Sequence, residues 1–273
     1  MDGGQRMFSK ILVATEGTPI MGHLTEYVAT LFPHADYHVI SVVDTSVGSI
    51  DISHHLTNLL TERTEEALDM AREILEKHHI ENVVTRALRG KPANLIASYA
   101  HRESVDLVVL GTSTKSGVVK FTFGHVGENL IRILRPPILI INQEVEIRKP
   151  SHILSPTDGG IHSKEAGKVA LFITNYFKAS LFKFFIGSNR EVGKRVLDAA
   201  EVWAREVGVK EVTKMEISMH DPAEDILRLA ADYDMIVMGK GKKTFLRRDI
   251  LGNTSREVAA LSPIAVLLVG THR

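Results

Sequence analysis

Residues Ile11–Gly17 read ILVATEG, and residues Ile153–Gly159 read ILSPTDG. Each is a short apolar run closed by threonine, an acidic residue and glycine. The acidic residues, Glu16 and Asp158, lie 158 − 16 = 142 positions apart. A second pair of strings recurs downstream, VDLVVLG at Val105–Gly111 and YDMIVMG at Tyr233–Gly239. Here Asp106 matches Asp234, Gly111 matches Gly239 and Gly124 matches Gly252, all at an offset of 128. The chain is written twice. Solenoid repeats run to ~20–50 residues, so a unit of this length is a domain. The offset falls by 142 − 128 = 14, which places an insertion in the first copy, in the polar Ser46–Asn82 segment. The junction falls near Gln143–Lys149, giving expected domains 1–145 and 146–273.

Outward from these strings, strand and helix signals alternate. Ile11–Thr15, Tyr37–Val43, Asn82–Leu88, Val105–Leu110 and Ile138–Ile141 read as strands of the first copy. Short apolar runs of this kind suit strands buried on both faces. Thr18-Pro19 reads as a helix cap followed by proline at the first helical position. Leu56, Leu60, Ala67, Leu68, Ala71 and Ile74 mark one face of a long helix. In the second copy the strands are His152–Pro156, Ser180–Ile186, Lys210–Ile217, Met235–Met238 and Ala265–Val269. Asp221-Pro222-Ala223-Glu224 opens its third helix, with Asp as cap and Pro in the first turn. Such alternation predicts α/β domains with a mainly parallel five-stranded sheet covered on both faces. Ligands of open α/β sheets sit at the carboxyl ends of strands, where strand order reverses. That directs attention to Glu16, Asp158 and the loops after Leu110 and Met238.

Composition bounds the chemistry. The 273 residues are 44% hydrophobic and 24% charged, with a formal net charge of zero. A balanced charge argues against a nucleic-acid partner or an anionic membrane. There is no cysteine, so disulfides and thiolate chemistry are excluded. No apolar run approaches the ~20 residues a bilayer requires, and Met1–Lys10 lacks the apolar core of a secretion signal. A cytoplasmic protein is the expectation.

The loops after the fourth strands read GTSTKSGVVKFTFGHVGENL from Gly111 and GKGKKTFLRRDILGNTSREV from Gly239. Each has a glycine at the strand exit and another before a helix. Glycine lets backbone approach a ligand closely, and a helix N-terminus suits phosphate. Taken alone, either loop is read more simply as a strand exit and a helix entry. His54-His55 and His78-His79 are poor metal chelates, because adjacent helix residues point ~100° apart, and a solvated helix face is expected. No metal site is nominated. No Walker loop and no dinucleotide fingerprint occurs.

Together these residues resemble the universal stress protein family. The family's nucleotide motif is glycine, two residues, glycine, nine residues, glycine and then Ser or Thr. Here Gly111, Thr114, Gly124 and His125 keep the spacing in the first copy, and Gly239, Lys242, Gly252 and Asn253 keep it in the second. The middle glycine is absent from both. ILVATEG, ILSPTDG, SVVD at Ser41, RGKPANLI and HDPAEDIL extend the resemblance over nearly the whole chain. It implies two tandem Rossmann-like, doubly wound domains and an adenosine pocket at the sheet switch point. Adenine would meet the backbone near Val42 or Ile186, and Glu16 or Asp158 would face the ribose or phosphate. Phosphates would meet Gly111, Gly124 and His125, or Gly239, Gly252, Asn253 and Thr254. Lys240 and Lys242 would add positive charge. The second copy is favoured, because it keeps Asp158 where the first has the longer Glu16.

The implied function is adenine-nucleotide sensing in a stress response, with ATP, ADP or AMP as ligand and Mg2+ accompanying ATP. No catalytic residue is assigned, and slow ATP hydrolysis is the most the residues allow. One alternative is a regulatory scaffold that binds protein partners rather than nucleotide. The other is an ATP-pyrophosphatase, whose loop DGGIHS at Asp158–Ser163 matches poorly. Family members commonly dimerise. The two copies are expected to form an intramolecular pseudo-dimer, with further homodimerisation open.

Overall fold

The computed structural model describes residues 7–15, 20–44, 54–114, 121–122, 125–209, 212–217, 221–243 and 249–271. In the first copy the elements run β1 (Lys10–Thr15), α1 (Met21–Leu31), β2 (Asp36–Asp44), α2 (His54–Lys77), β3 (Val83–Gly90), α3 (Pro92–Arg102) and β4 (Leu107–Gly111). Two short strands follow, β5 (Ser113–Thr114) and β6 (Phe121–Thr122), then α4 (His125–Ile133) and β7 (Ile138–Ile141). The second copy repeats the order with β8 (His152–Thr157), α5 (Ile161–Phe177), β9 (Ser180–Ile186), α6 (Arg190–Glu206), β10 (Val212–Ile217), α7 (Pro222–Ala230) and β11 (Met235–Gly239). It closes with β12 (Gly241–Lys243), β13 (Asp249–Leu251), α8 (Asn253–Leu261) and β14 (Ala265–Val269). The expected Thr18-Pro19 helix entry lies outside the described residues.

All the long strands share one ten-stranded sheet, ordered β10-β9-β8-β11-β14-β7-β4-β1-β2-β3. Each half is parallel, and the two meet antiparallel where β14 pairs β7. Both seam strands are buried throughout, from Ile138 to Ile141 and from Ala265 to Val269. An unpaired strand with two apolar faces would expose its hydrogen-bonding ladder. The seam removes that edge from both halves at once. Strand register also locates the insertion. Tyr37 pairs Val83 while Leu181 pairs Val212. The offset thus drops from 181 − 37 = 144 to 212 − 83 = 129 between β2 and β3, across the expected segment.

Two apolar layers flank the sheet. One collects α1, α2, α5 and α6 over Ile11, Val13, Val39 and Ile153, and the other collects α3, α4, α7 and α8 over Leu12, Ile40, Leu154 and Ile236. Across the seam, Phe32 at the end of α1 meets the rings of Tyr176 and Phe177 at 6.1 and 5.9 Å. The landmark aspartates are structural. Asp106 accepts the N–H groups of Ser9 and Lys10 at 2.9 and 2.8 Å. Asp234 accepts those of Ser151 and His152 at 2.7 and 2.8 Å. Each ties the entry of a first strand to the amino end of its fourth. Asp221 caps α7 through the N–H groups of Ala223 and Glu224. His78 and His79 follow α2 instead of lying on its solvated face. His78 bonds Glu26 at 2.7 Å, and His79 takes a left-handed φ of 58°. No helix among the described residues is long and apolar enough to cross a membrane.

Candidate functional site

Strand order reverses between β8 and β11 in the second half, and between β1 and β4 in the first. These are the two switch points, and open α/β sheets bind ligands at the carboxyl ends of the strands there. Because β7 and β14 run antiparallel, the two carboxyl edges face opposite ways. The carboxyl edge of one half therefore lies beside the amino edge of the other.

In the second half, Asp158 leaves the carboxyl end of β8 exposed to solvent. Its Oδ1 accepts the Gly160 N–H at 2.8 Å and the Ser163 hydroxyl at 2.7 Å. Gly159 turns the chain at φ 75°, a left-handed value that favours glycine. The carboxylate thus satisfies the entry of α5, where Gly160 offers no side-chain cap. Ser163 was legible only as the last residue of DGGIHS. Its hydroxyl is held by Asp158, Thr157 and Gly160, which is a helix-entry role.

The strand-exit glycines have a packing cause. A Cβ on Gly239 would lie 2.8 Å from the carbonyl carbon of His162, and one on Gly111 would lie 2.8 Å from Cγ2 of Ile20. His162 and Ile20 occupy corresponding places at 162 − 20 = 142. In both halves the first helix of the domain crosses directly over the fourth strand's exit. These two glycines admit a helix.

The described parts of the loops after them pair as short strands. β12 pairs β13 with Lys242 opposite Ile250, and β5 pairs β6 with Thr114 opposite Phe121. The described residues of each loop form a two-stranded ribbon. β13 lies against α4 of the first half, and β6 against α8 of the second. Lys240 departs from the expectation most clearly. It is buried, and its Nζ donates to the main-chain carbonyls of Leu134 at 2.8 Å and Pro136 at 3.1 Å. The charge foreseen for phosphate closes the C-terminus of α4 in the other half.

The end of the second ribbon delivers α8. Its entry is Gly252, with no side-chain cap, and the Gly252 N–H is held by the Lys240 carbonyl at 3.2 Å. Ser255 fixes the first turn by donating to the Gly239 carbonyl at 2.8 Å. Asn253 is exposed and Thr254 half-buried. The first N–H groups of a helix have no partner within it, and they carry the positive end of its dipole. Here they lie at the carboxyl end of β11, one of the two switch-point strands. Ile186, half-buried at the end of β9, lies one strand further out.

In the first half, Val42 is buried near the end of β2. Glu16 and Gly124 lie outside the described residues, as do the side chains of Thr114, His125 and Lys242. His125 opens α4 and Thr114 lies in β5. No group of three metal-ligating side chains occurs among the described residues.

Comparison with known proteins matches this architecture twice over. The universal stress protein family model fits residues 7–142 and again 151–270. A universal stress protein of Methanocaldococcus jannaschii is 28% identical over 149 residues, covering 51% of this chain and 85% of that protein. One from Methanothermobacter thermautotrophicus is 35% identical over 132 residues, covering 46% of this chain and 89% of that protein. Among solved structures, a universal stress protein from Archaeoglobus fulgidus superposes with a TM-score of 0.79 at 20% identity, covering 97% of both chains. That likeness speaks for the fold. With two successive matches that take in most of its length, the chain belongs to the universal stress protein family.

Proposed function

We propose that this protein binds an adenine nucleotide in its second half, as a sensor whose output is conformational. One observation carries the reading. The entry of α8 at Gly252-Asn253-Thr254 has no side-chain cap and opens at the switch point, one strand from the exposed Asp158. Backbone N–H groups at a helix entry suit phosphate. Asp158 suits ribose hydroxyls, and the backbone at Ile186 suits the adenine edge. Lys240 has no part in this reading. Mg2+ would accompany ATP through its phosphates. We take the halves to divide at 145/146, within the stretch the two family matches leave uncovered.

Asn253→Asp tests the proposal without endangering the fold. A carboxylate at a helix entry favours the dipole yet repels phosphate. Calorimetry on nucleotide-stripped protein should show ATP affinity falling about tenfold or more, a loss of ~1.4 kcal/mol, with adenosine affinity little changed. Equal ATP affinity in the variant, or no binding by the folded parent chain, would sink the proposal.

A further inference from the structure

Lys183 stands in the middle of β9, and its side chain is 5% exposed. Among the described residues its one hydrogen-bond partner is the Ser155 hydroxyl, at a long 3.4 Å. No carboxylate among the described residues pairs with it, and burial lowers its pKa to about 8. The ammonium lies against Gly167 of α5, where an added Cβ would be 2.7 Å from Nζ. Beside it is a cavity of about 40 Å³ between the sheet and helices α5 and α6. Leu171, Val196 and Trp203 are among its apolar walls, Lys164 joins Lys183 in its lining, and no Asp or Glu among the described residues lines it.

The first half supplies an internal control. Val13 pairs Val39 there, in the register where Ser155 pairs Lys183. The helix position of Gly167 corresponds to Thr25, at 167 − 25 = 142. The first half therefore carries Val13, Thr25 and Val39, all fully buried. The second carries a hydroxyl, a missing side chain and an amine at the same three places. The three differences fit one another: the glycine makes room for the ammonium, and the serine hydroxyl accepts its hydrogen bond. A buried cation without a counter-charge is costly, and an anion in the cavity offsets that cost.

We propose that the cavity between β8, β9, α5 and α6 is a binding site for a small monoanion, of the size of formate or acetate, held by the Lys183 ammonium. The volume sets the class, since a water needs ~10–15 Å³ on this measure and the cavity admits about three such spheres. A nucleotide is far too large for it.

Trp203 is the chain's one tryptophan and lines the cavity, so its emission reports occupancy. The full chain is titrated with sodium formate and sodium acetate, against sodium chloride at equal ionic strength. A saturable emission change is expected with the carboxylates, together with an upward shift of the Lys183 titration followed by NMR. Both effects should vanish in Lys183→Met. The emission change should also vanish in the combined variant Ser155→Val, Gly167→Thr, Lys183→Val, which installs the trio that already packs in the first half. No saturable response beyond chloride in the folded parent chain overturns the proposal. So does an equal response in either variant.

Discussion

The Lys240 ammonium, in the second half, lies 2.8 Å from the carbonyl oxygen of Leu134 in the first. The corresponding carbonyl in the second half belongs to Ser262, at 262 − 134 = 128. That oxygen accepts from the first half, through the Asn142 side-chain amide at 2.9 Å. The two bonds are related by the pseudo-twofold seam, but their donors are not equivalent. Thr112 occupies the place of Lys240, and Gly270 the place of Asn142. A Cβ on Gly270 would come within 3.4 Å of Cδ of Lys240, so the missing side chain clears the lysine's path. The seam is closed by complementary residues that one symmetric chain could not supply twice over.

Lys240→Met should therefore lower stability. Hydrogen bonds from a charged donor contribute ~1.5–3 kcal/mol, and the substitution strands two carbonyls at a helix end. Urea unfolding is expected to register a loss of that order, while ATP affinity stays at the parent value. A loss of affinity without a loss of stability would return Lys240 to the phosphate site.

The two strand-exit glycines should respond unequally to alanine. At Gly239 the new methyl meets the backbone of His162, which a packed helix cannot readily yield. At Gly111 it meets the side-chain carbons of Ile20, which can shift without displacing a helix backbone. Overpacking costs ~1–3 kcal/mol. Gly239→Ala is expected near the upper end and Gly111→Ala near the lower, compared by chemical denaturation. The reverse order would mean that α5 moves more easily than Ile20.

Lys183→Met should stabilise the protein at neutral pH. Burial holds the folded pKa at about 8, below the ordinary 10.5. The unfolded chain then binds the proton more tightly, so stability rises as pH climbs from 8 to 10.5. Below that window the buried charge costs ~3 kcal/mol, at 1.36 kcal/mol per pH unit. The variant's advantage should be full at pH 7, shrink above pH 8 and be gone beyond the ordinary lysine value. A difference independent of pH would show that the ammonium is not desolvated.

His38 gives the opposite edge of the pH profile. It is buried on β2 with Nδ1 2.8 Å from the Tyr99 hydroxyl, and burial lowers its pKa from 6.5. Its contribution is full above 6.5 and is withdrawn as pH falls through the depressed folded value. The parent chain should lose stability in that acid window relative to His38→Gln, as measured by thermal unfolding. Parallel profiles for the two proteins would remove His38 from the account.

Local signals were legible where one segment answers to one rule. Asp221-Pro222 sets a cap and a first turn through its own backbone, so the entry of α7 could be read directly. The fully apolar Ile138–Ile141 and Ala265–Val269 could each be read as buried strands, because that composition tolerates no solvated face. The long face of α2 is legible at Ala67, Leu68 and Ala71, all buried, whereas the spacing points to Ile74, which is half-buried, and the structure buries Leu75 instead. The ribbons were not legible. Gly-Lys-Lys has no alternation of apolar and polar residues, and its pairing with Asp249–Leu251 depends on α4 lying beneath.

By itself, the sequence determined that the chain is a duplication, that each copy alternates strand and helix, and that its sheets are parallel. Those properties follow from short-range periodicity and from comparing one half with the other. The tertiary structure alone decided which surfaces meet. It brought Lys240 onto the carbonyl of Leu134, made Gly239 the passage for a helix, and buried Lys183 opposite Ser155 beneath Gly167. Each of those outcomes depends on atoms ~15 or more positions apart in the chain, whose proximity is set by strand order and by the seam rather than by local conformational preference.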